Sequence, residues 1–303
     1  MTEPIAKLPD PAKSPFSGAG SLATGSTAKL YSYQLKTSLP RWPVREGILL
    51  EWNGGWGEIA PLPGFSRESL DEARTEILAW RSNGNPPKYP SVRFAIEAAS
   101  TPFNKSPLRI PMSLLEEPRP GFSTLKLKLG HFSVAEAIER VKPYVDAYRL
   151  RLDCNKKWSL EEAVCFATHF SPSDFDYLEE PVQTFSDLIR FSKETRFPIA
   201  VDESIKEDLS QLPSLKAVVV KPTLVGSLPK TPVLTVLSSA FESSLGLLQI
   251  ARLQASDCPP AGLDTFRYFE DDLLDPPLKA ENGCLVWDGC NECPVDRNRL
   301  CAF

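Results

Sequence analysis

Histidine is nearly missing from this chain: His131 and His169 are the only two in 303 residues. A Ser/His/Asp triad would have to rely on one of them, and a metal centre made of several imidazoles is hard to assemble. His169 follows the apolar helical stretch Ala163-Val164-Cys165-Phe166-Ala167 and reads as a helix-end residue. His131 stands between an expected strand and an expected helix, near the catalytic end if the strands form a barrel. Basic excess is lacking too. A formal charge of −5 and a pI near 5.3 give no electrostatic reason to expect nucleic acid or an anionic membrane as a partner. No apolar run approaches the roughly 18–20 residues of a membrane helix. The opening residues lack the charged-then-apolar order of a secretory signal and are rich in Pro, Gly, Ser, Ala and Thr. Residues 1–27 therefore read as a flexible tail, and the protein as cytoplasmic. Seven cysteines are an odd count for a disulfide scaffold. Cys284, Cys290, Cys293 and Cys301 crowd the C-terminus with one C-x-x-C among them, but no second pair answers it, so they read as thiols rather than as a zinc or cluster site.

What is present is a change of rhythm. After the tail, Leu30 to Leu35 and Gly47 to Trp52 pattern as strands, and Gly54-Gly55-Trp56-Gly57-Glu58 as a turn entering another. Helical spacing follows over Ser69 to Trp80 and Val92 to Ala99. From about Ile110, strands alternate with helices: Thr124–Leu129, Tyr148–Leu152, Asp176–Leu178, Pro198–Val201, Ala217–Val220 and Val233–Ser238. Ser133 with Glu136, and Ser159 with Glu162, are capping boxes that start two of those helices, the first with an apolar stripe running to Val145. Parallel pairing and a barrel follow from this alternation. Between Val220 and Val233 a full crossover helix hardly fits. The expected fold is α/β: a modified, partly degraded (β/α)7β-type barrel over 109–264, an α+β capping domain over 28–108, and a segment over 265–303 that returns to the cap.

Five expected strands finish in charged residues or possible metal ligands: Lys126 with Lys128, Asp153 with Asn155, Glu179, Asp202 and Lys221. The steps from Lys128 onward are 25, 26, 23 and 19 residues, about one strand–helix unit each. C-terminal strand ends converge on one mouth in a barrel, so the linear series becomes a ring. Three carboxylates at one place repel by several kcal/mol unless neutralised, and a hard divalent cation such as Mg²⁺ does that while keeping positions for substrate. A lysine beside the cation can act as acid or base, its ordinary pKa near 10.4 pulled down by its neighbours. Arg151 shares a strand face with Asp153 and can reach or buttress the site.

These residues resemble the enolase superfamily, in its muconate-lactonising branch, and there the o-succinylbenzoate synthase family. The matching stretches are Lys126-Leu127-Lys128, Asp153-Cys154-Asn155, Leu178-Glu179-Glu180-Pro181, Val201-Asp202-Glu203-Ser204 and Lys221-Pro222. Gly55–Ser66, Ser238–Leu247 and Gly262-Leu263-Asp264-Thr265 extend the likeness toward both ends. The resemblance implies that Asp153, Glu179 and Asp202 bind Mg²⁺, with Mn²⁺ able to substitute, and that Asn155, Glu180 and Glu203 stand behind them. It implies Lys128 as the base, Lys126 beside it and Lys221 opposite. It also implies a capping loop carrying Phe65, and substrate contacts from Ser238, Ser239, Phe241 and Gly262, with Arg151 a further candidate.

The implied reaction is syn elimination of water from a succinyl-hydroxycyclohexadiene carboxylate, a small-molecule carboxylate substrate, in menaquinone biosynthesis. Racemisation of N-succinylamino acids, other epimerisation or cycloisomerisation on the same scaffold is the alternative. A non-catalytic barrel is a remoter one, since a mere scaffold has no reason to keep three repelling carboxylates. No Asp-x-Asp stands near the last strand, which weakens an epimerase. Oligomeric state is not read from the sequence, and a monomer is compatible with it.

Overall fold

The computed structural model describes residues 27–254, 258–291 and 294–303. The expected tail, residue 27 apart, and Cys293 lie outside the described residues. The first unit is an antiparallel meander of β1 (Lys29–Lys36), β2 (Val44–Trp52) and β3 (Gly55–Ile59). Asn53 and Gly54 make the two-residue turn between β2 and β3, both at positive φ (51° and 75°), the conformation that matches the twist of a tight hairpin. Two helices follow, α1 (Leu70–Asn83) and α2 (Pro90–Ala99). A Ser69/Glu72 capping box starts α1 and Gly84 ends it at φ 71°. Ile48, Leu50 and Ile59 of the sheet bury against Ala73, Ile77, Val92, Ala95 and Ile96 of the helices. α2 lies so close that a Cβ on Gly57 would collide with the Ala95 carbonyl.

After β4 (Leu108–Pro111) the parallel ring begins. Its elements are β5 (Leu114–Leu115), β6 (Thr124–Lys128), α3 (Val134–Val141), β7 (Arg149–Asp153), α4 (Leu160–Ala167), β8 (Phe175–Glu179), α5 (Phe185–Thr195), β9 (Ile199–Val201), β10 (Leu215–Val220), α6 (Pro222–Val225), β11 (Leu234–Leu237) and α7 (Ser244–Ala251). Strands β5 to β11 form one parallel sheet in chain order. Residues 261–262 close it: Gly262 bridges Ser238 beyond β11, and Ala261 bridges Met112 ahead of β5, both in parallel. The eighth position of the barrel is thus reduced to two residues. On the outer side, Leu125, Leu127, Leu150, Leu152 and Leu178 pack on Ile138, Val141, Ala163, Phe166, Leu188 and Phe191 of the helices.

The thin crossover after Val220 is a four-residue helix, as the short spacing requires. A second thin connection, 202–214, holds only two 3₁₀ turns. The helix begun at Ser133 stops at Val141 rather than running to Val145 and continues as a 3₁₀ turn over Lys142–Tyr144. Pro143 has no N–H for the Glu139 carbonyl, which accounts for the change. At the C-terminal side β12 (Lys279–Glu281) and β13 (Cys284–Trp287) join β4, and β14 (Cys301–Ala302) adds an edge to β1. No helix among the described residues is long and apolar enough to cross a membrane, and no disulfide links the described cysteines.

Candidate active site

Parallel register turns the strand ends into two layers. Lys126, Arg151 and Tyr177 are cross-strand neighbours, and so are Lys128, Asp153 and Glu179 one step nearer the mouth. Their side chains share the inner face because each pair is two residues apart on its strand. Asp202 follows β9 and Lys221 follows β10. In the closed ring β10 lies four positions from β6, so Lys221 faces Lys128 across the mouth.

Lys126 Nζ lies 2.8 Å from Asp153 Oδ2 and 2.9 and 2.8 Å from the two Glu179 oxygens. Burial works against its charge, but Asp153 and Glu179 outweigh that and hold it well above the ordinary lysine value. Glu179 remains under-compensated: burial first, then Asp153, pushes its carboxyl up to about 7. Burial would raise Asp153 as well, yet Lys126 brings it below the usual aspartate value. Asn155 donates to Asp153 Oδ1 from both its amide side chain (2.9 Å) and its backbone (3.1 Å). Lys221 pairs with Asp202, which together with Glu179 overcomes burial and raises its pKa.

Lys128 differs. Among the described residues it enters no ion pair, and its ammonium lies 5.7 Å from the Phe241 ring centre. Burial, then the Lys126 charge, lowers its pKa, which makes it the lysine of the three most ready to lose a proton. Its backbone N–H donates to Glu116 at 2.5 Å, and Arg140 holds the other Glu116 oxygen at 2.5 Å.

Glu180 turns the other way, at φ 43°, and accepts from the Asp202 and Ser204 backbone (3.0 and 2.7 Å) and the Ser204 hydroxyl (2.9 Å). Glu203 is exposed, 3.7 Å from Lys156. Both stand outside the ring of inward carboxylates. Arg151 is buried, bonded to Asp176 (2.8 Å) and to the Pro260 carbonyl (2.6 Å), with its guanidinium 5.2 Å from the Tyr177 ring centre.

Above the ring lies a cleft with about 820 Å³ of free space, counting its open mouth. Lys126, Lys128, Arg151, Asp153, Asn155, Glu179 and Lys221 line its floor, and Phe65, Ser238, Ser239, Phe241 and Gly262 its sides. Asp202, Glu180, Glu203 and His131 are not part of this lining. Sequence reasoning missed Trp42, Tyr177 and the backbone support from Glu116. Tyr177 shows the same period-two relation to Glu179 that marked Arg151, so a signal existed. Trp42 sits in the connection between β1 and β2, 5.3 Å from the Phe241 ring and 6.0 Å from Phe65, and nothing local in the sequence points to it.

No three histidine, cysteine or carboxylate side chains among the described residues gather around one metal-sized point as they stand, because ammonium groups lie against the carboxylates. The donor set still fits a hard dication. All three inward groups offer oxygen only, and Glu179 stays under-compensated although Lys126 bonds both its oxygens.

An α/β barrel with lysines and carboxylates at successive strand ends, under an α+β cap, defines the class: an enzyme of the enolase superfamily. Residues 114–221 match the family model described as "Enolase C-terminal domain-like", and residues 26–103 match "MenC, N-terminal domain". Among solved structures, an enolase-superfamily member from Roseovarius nubinhibens ISM complexed with magnesium superimposes with a TM-score of 0.71. It covers 91% of this chain and 98% of its own at 16% identity, which shows the fold. The o-succinylbenzoate synthase of Klebsiella pneumoniae (strain 342) is 34% identical over 281 residues, covering 78% of this chain and 88% of its own. That of Yersinia pseudotuberculosis serotype O:3 (strain YPIII) is 34% identical over 301 residues, covering 82% and 93%. The chain belongs to the o-succinylbenzoate synthase family, and it is a lyase.

Proposed function

We propose that this enzyme forms o-succinylbenzoate from 2-succinyl-6-hydroxy-2,4-cyclohexadiene-1-carboxylate by syn elimination of water, with Mg²⁺ held by Asp153, Glu179 and Asp202. In this reading residues 28–108 cap the barrel of 109–264, and 265–303 returns to the cap. The observation that carries it is the unpaired, pKa-lowered Lys128 on one side of the carboxylate ring, with the paired, pKa-raised Lys221 on the other.

Bound there, the ion would supply positive charge to the substrate carboxylate and so acidify the adjacent C–H. Lys128 takes that proton into its neutral amine. The resulting ammonium lies on the same face as the leaving hydroxyl and protonates it, so water departs and the amine is restored. Lys221 keeps its proton and stabilises the negative charge that builds on the carboxylate side. Lys126 restrains Lys128 to a low pKa and screens the carboxylates. Ser238, Ser239 and Arg151 offer donors for the succinyl oxygens, Gly262 leaves beside the Ser238 hydroxyl the space a Cβ would take, and Phe65 and Phe241 exclude water. The product gains an aromatic ring, so the site need supply little beyond placement and charge.

Purified protein should convert the cyclohexadiene to o-succinylbenzoate, lose the activity in excess EDTA and regain it with Mg²⁺ or Mn²⁺. Full turnover in EDTA would overturn the metal assignment. The racemase alternative draws on the same two facing lysines, and proton exchange at an N-succinylamino acid faster than dehydration would favour it.

A further inference from the structure

Phe241 holds a backbone conformation that a bulky residue rarely adopts, φ 59°. Such a residue is strained and persists only where its surroundings impose it. Part of those surroundings is supplied by the capping sheet. Arg45, on β2 and 3% exposed, spends its guanidinium on three carbonyl oxygens: Phe241 (3.1 Å), Pro61 (3.1 Å) and Ala60 (3.1 Å). Among the described residues it enters no ion pair with a carboxylate. Glu58, on β3 and 1% exposed, accepts from the Ser243 N–H (2.9 Å), the Ser243 hydroxyl (2.6 Å), the Gly246 N–H (2.8 Å) and Tyr33. A Cβ on Gly246 would collide with that carboxylate. Two residues of the cap thus grip the chain at Phe241 and just after it, Arg45 by the Phe241 carbonyl and Glu58 by the Ser243 and Gly246 amides at the start of α7. The same Arg45 fixes Ala60 and Pro61, which lead into the turn carrying Phe65.

We propose that Arg45, assisted by Glu58, is a positioning residue that sets the Phe241 ring over Lys128 and against Trp42, so that the capping sheet determines how substrate fits the barrel mouth. The inference rests on the functional reading above, in which Phe241 lines the substrate cleft. Arg45 touches neither substrate nor metal; it acts through the Phe241 carbonyl. Losing it should therefore leave the lysines and carboxylates intact and loosen one wall.

The test is Arg45→Lys, which keeps the charge but cannot reach three carbonyls. KM for the cyclohexadiene should rise about tenfold with kcat changed by less than about threefold, the pattern of lost binding rather than lost chemistry. Should the lysine variant not fold, Arg45→Gln repeats the test without an unpaired buried charge. In a Phe241→Ala background the Arg45 substitution should change KM by less than about twofold, because the ring through which it acts is gone. Equal effects in both backgrounds, an unchanged KM, or loss of fold in both Arg45 variants would overturn the proposal. Amide hydrogen exchange separates this failure from failure of the functional reading. Even in a protein inactive on the cyclohexadiene, Arg45→Lys should speed exchange at Ala240 to Ser243 about tenfold relative to the amides of β7. No selective increase there would refute the positioning role on its own.

Discussion

The two halves of the barrel differ in how their geometry is set. From β6 to β9 each crossover contains a helix of eight to eleven residues, and Lys128, Asp153 and Glu179 stand level with one another at the mouth ends of their strands. From β9 to β11 the two crossovers thin to 3₁₀ turns and a four-residue helix, and an eight-residue helix, α7, returns only before residues 261–262. The barrel interior there is filled by Ala217, Val219 and Val236. The first half is placed by its own helices. The second is placed by contact with the cap, through Arg45 and Glu58, which lie 196 and 185 residues from their partners Phe241 and Ser243. In the proposed mechanism, chemistry falls to the self-supporting half and Lys221, and fit to substrate to the half that borrows support.

If that contrast holds, a change on the chemical half should cost rate and leave folding alone. Lys128→Ala should lower kcat roughly 10⁴-fold with an unaltered melting temperature, since one group serves as base and acid; near-normal turnover would remove Lys128 from both roles. Lys221→Ala should be severe as well. A change in the docking contacts should do the reverse. Glu58→Gln sets an amide against donors it cannot satisfy and should cost about 3 kcal/mol of stability, read from denaturant unfolding. A loss under about 1 kcal/mol would mean the cap adds little to the thin half. Within the chemical half, Glu179→Gln should weaken Mg²⁺ binding about 100-fold by calorimetry, and Glu180→Gln far less, because Glu180 faces Ser204 rather than the cleft. The opposite order would exchange their roles.

A smaller effect belongs to the docking region. Burial pushes the carboxyl of Asp272, which accepts from Ser244 N–H (2.9 Å) at the start of α7, up to about 6. A carboxyl raised in the folded state favours folding while protonated, so its contribution is present below about pH 4 and lost as pH rises through 6. Wild type should therefore lose about 1.4 kcal/mol relative to Asp272→Asn between pH 5 and 8. A constant difference across that range would show that Asp272 is not so perturbed.

The same contrast explains what could be read from the sequence. Lys128, Asp153, Glu179, Asp202 and Lys221 were legible because near-equal spacing after apolar strands projects onto one end of a barrel. Ser133 and Ser159 revealed their helices because capping is local chemistry, and α1 was legible from its apolar spacing. Trp42, Arg45 and Glu116 were not legible as site residues. What each does depends on a partner distant along the chain or on a turn outside any periodic element. The second thin crossover, 202–214, escaped because a short polar segment with Leu209 and Leu212 carries no helical period strong enough to accept or reject. Phe65 and Phe241 came from likeness to a family, and the tie of Arg45 to the carbonyls of Phe241, Pro61 and Ala60 came only from the fold.

The most direct test of the account is kcat/KM for 2-succinyl-6-hydroxy-2,4-cyclohexadiene-1-carboxylate against a panel of N-succinylamino acids, in one Mg²⁺ buffer. Dehydration should exceed the best racemisation by at least about 100-fold, near 3 kcal/mol of transition-state discrimination. A racemisation rate equal to or above the dehydration rate would contradict it.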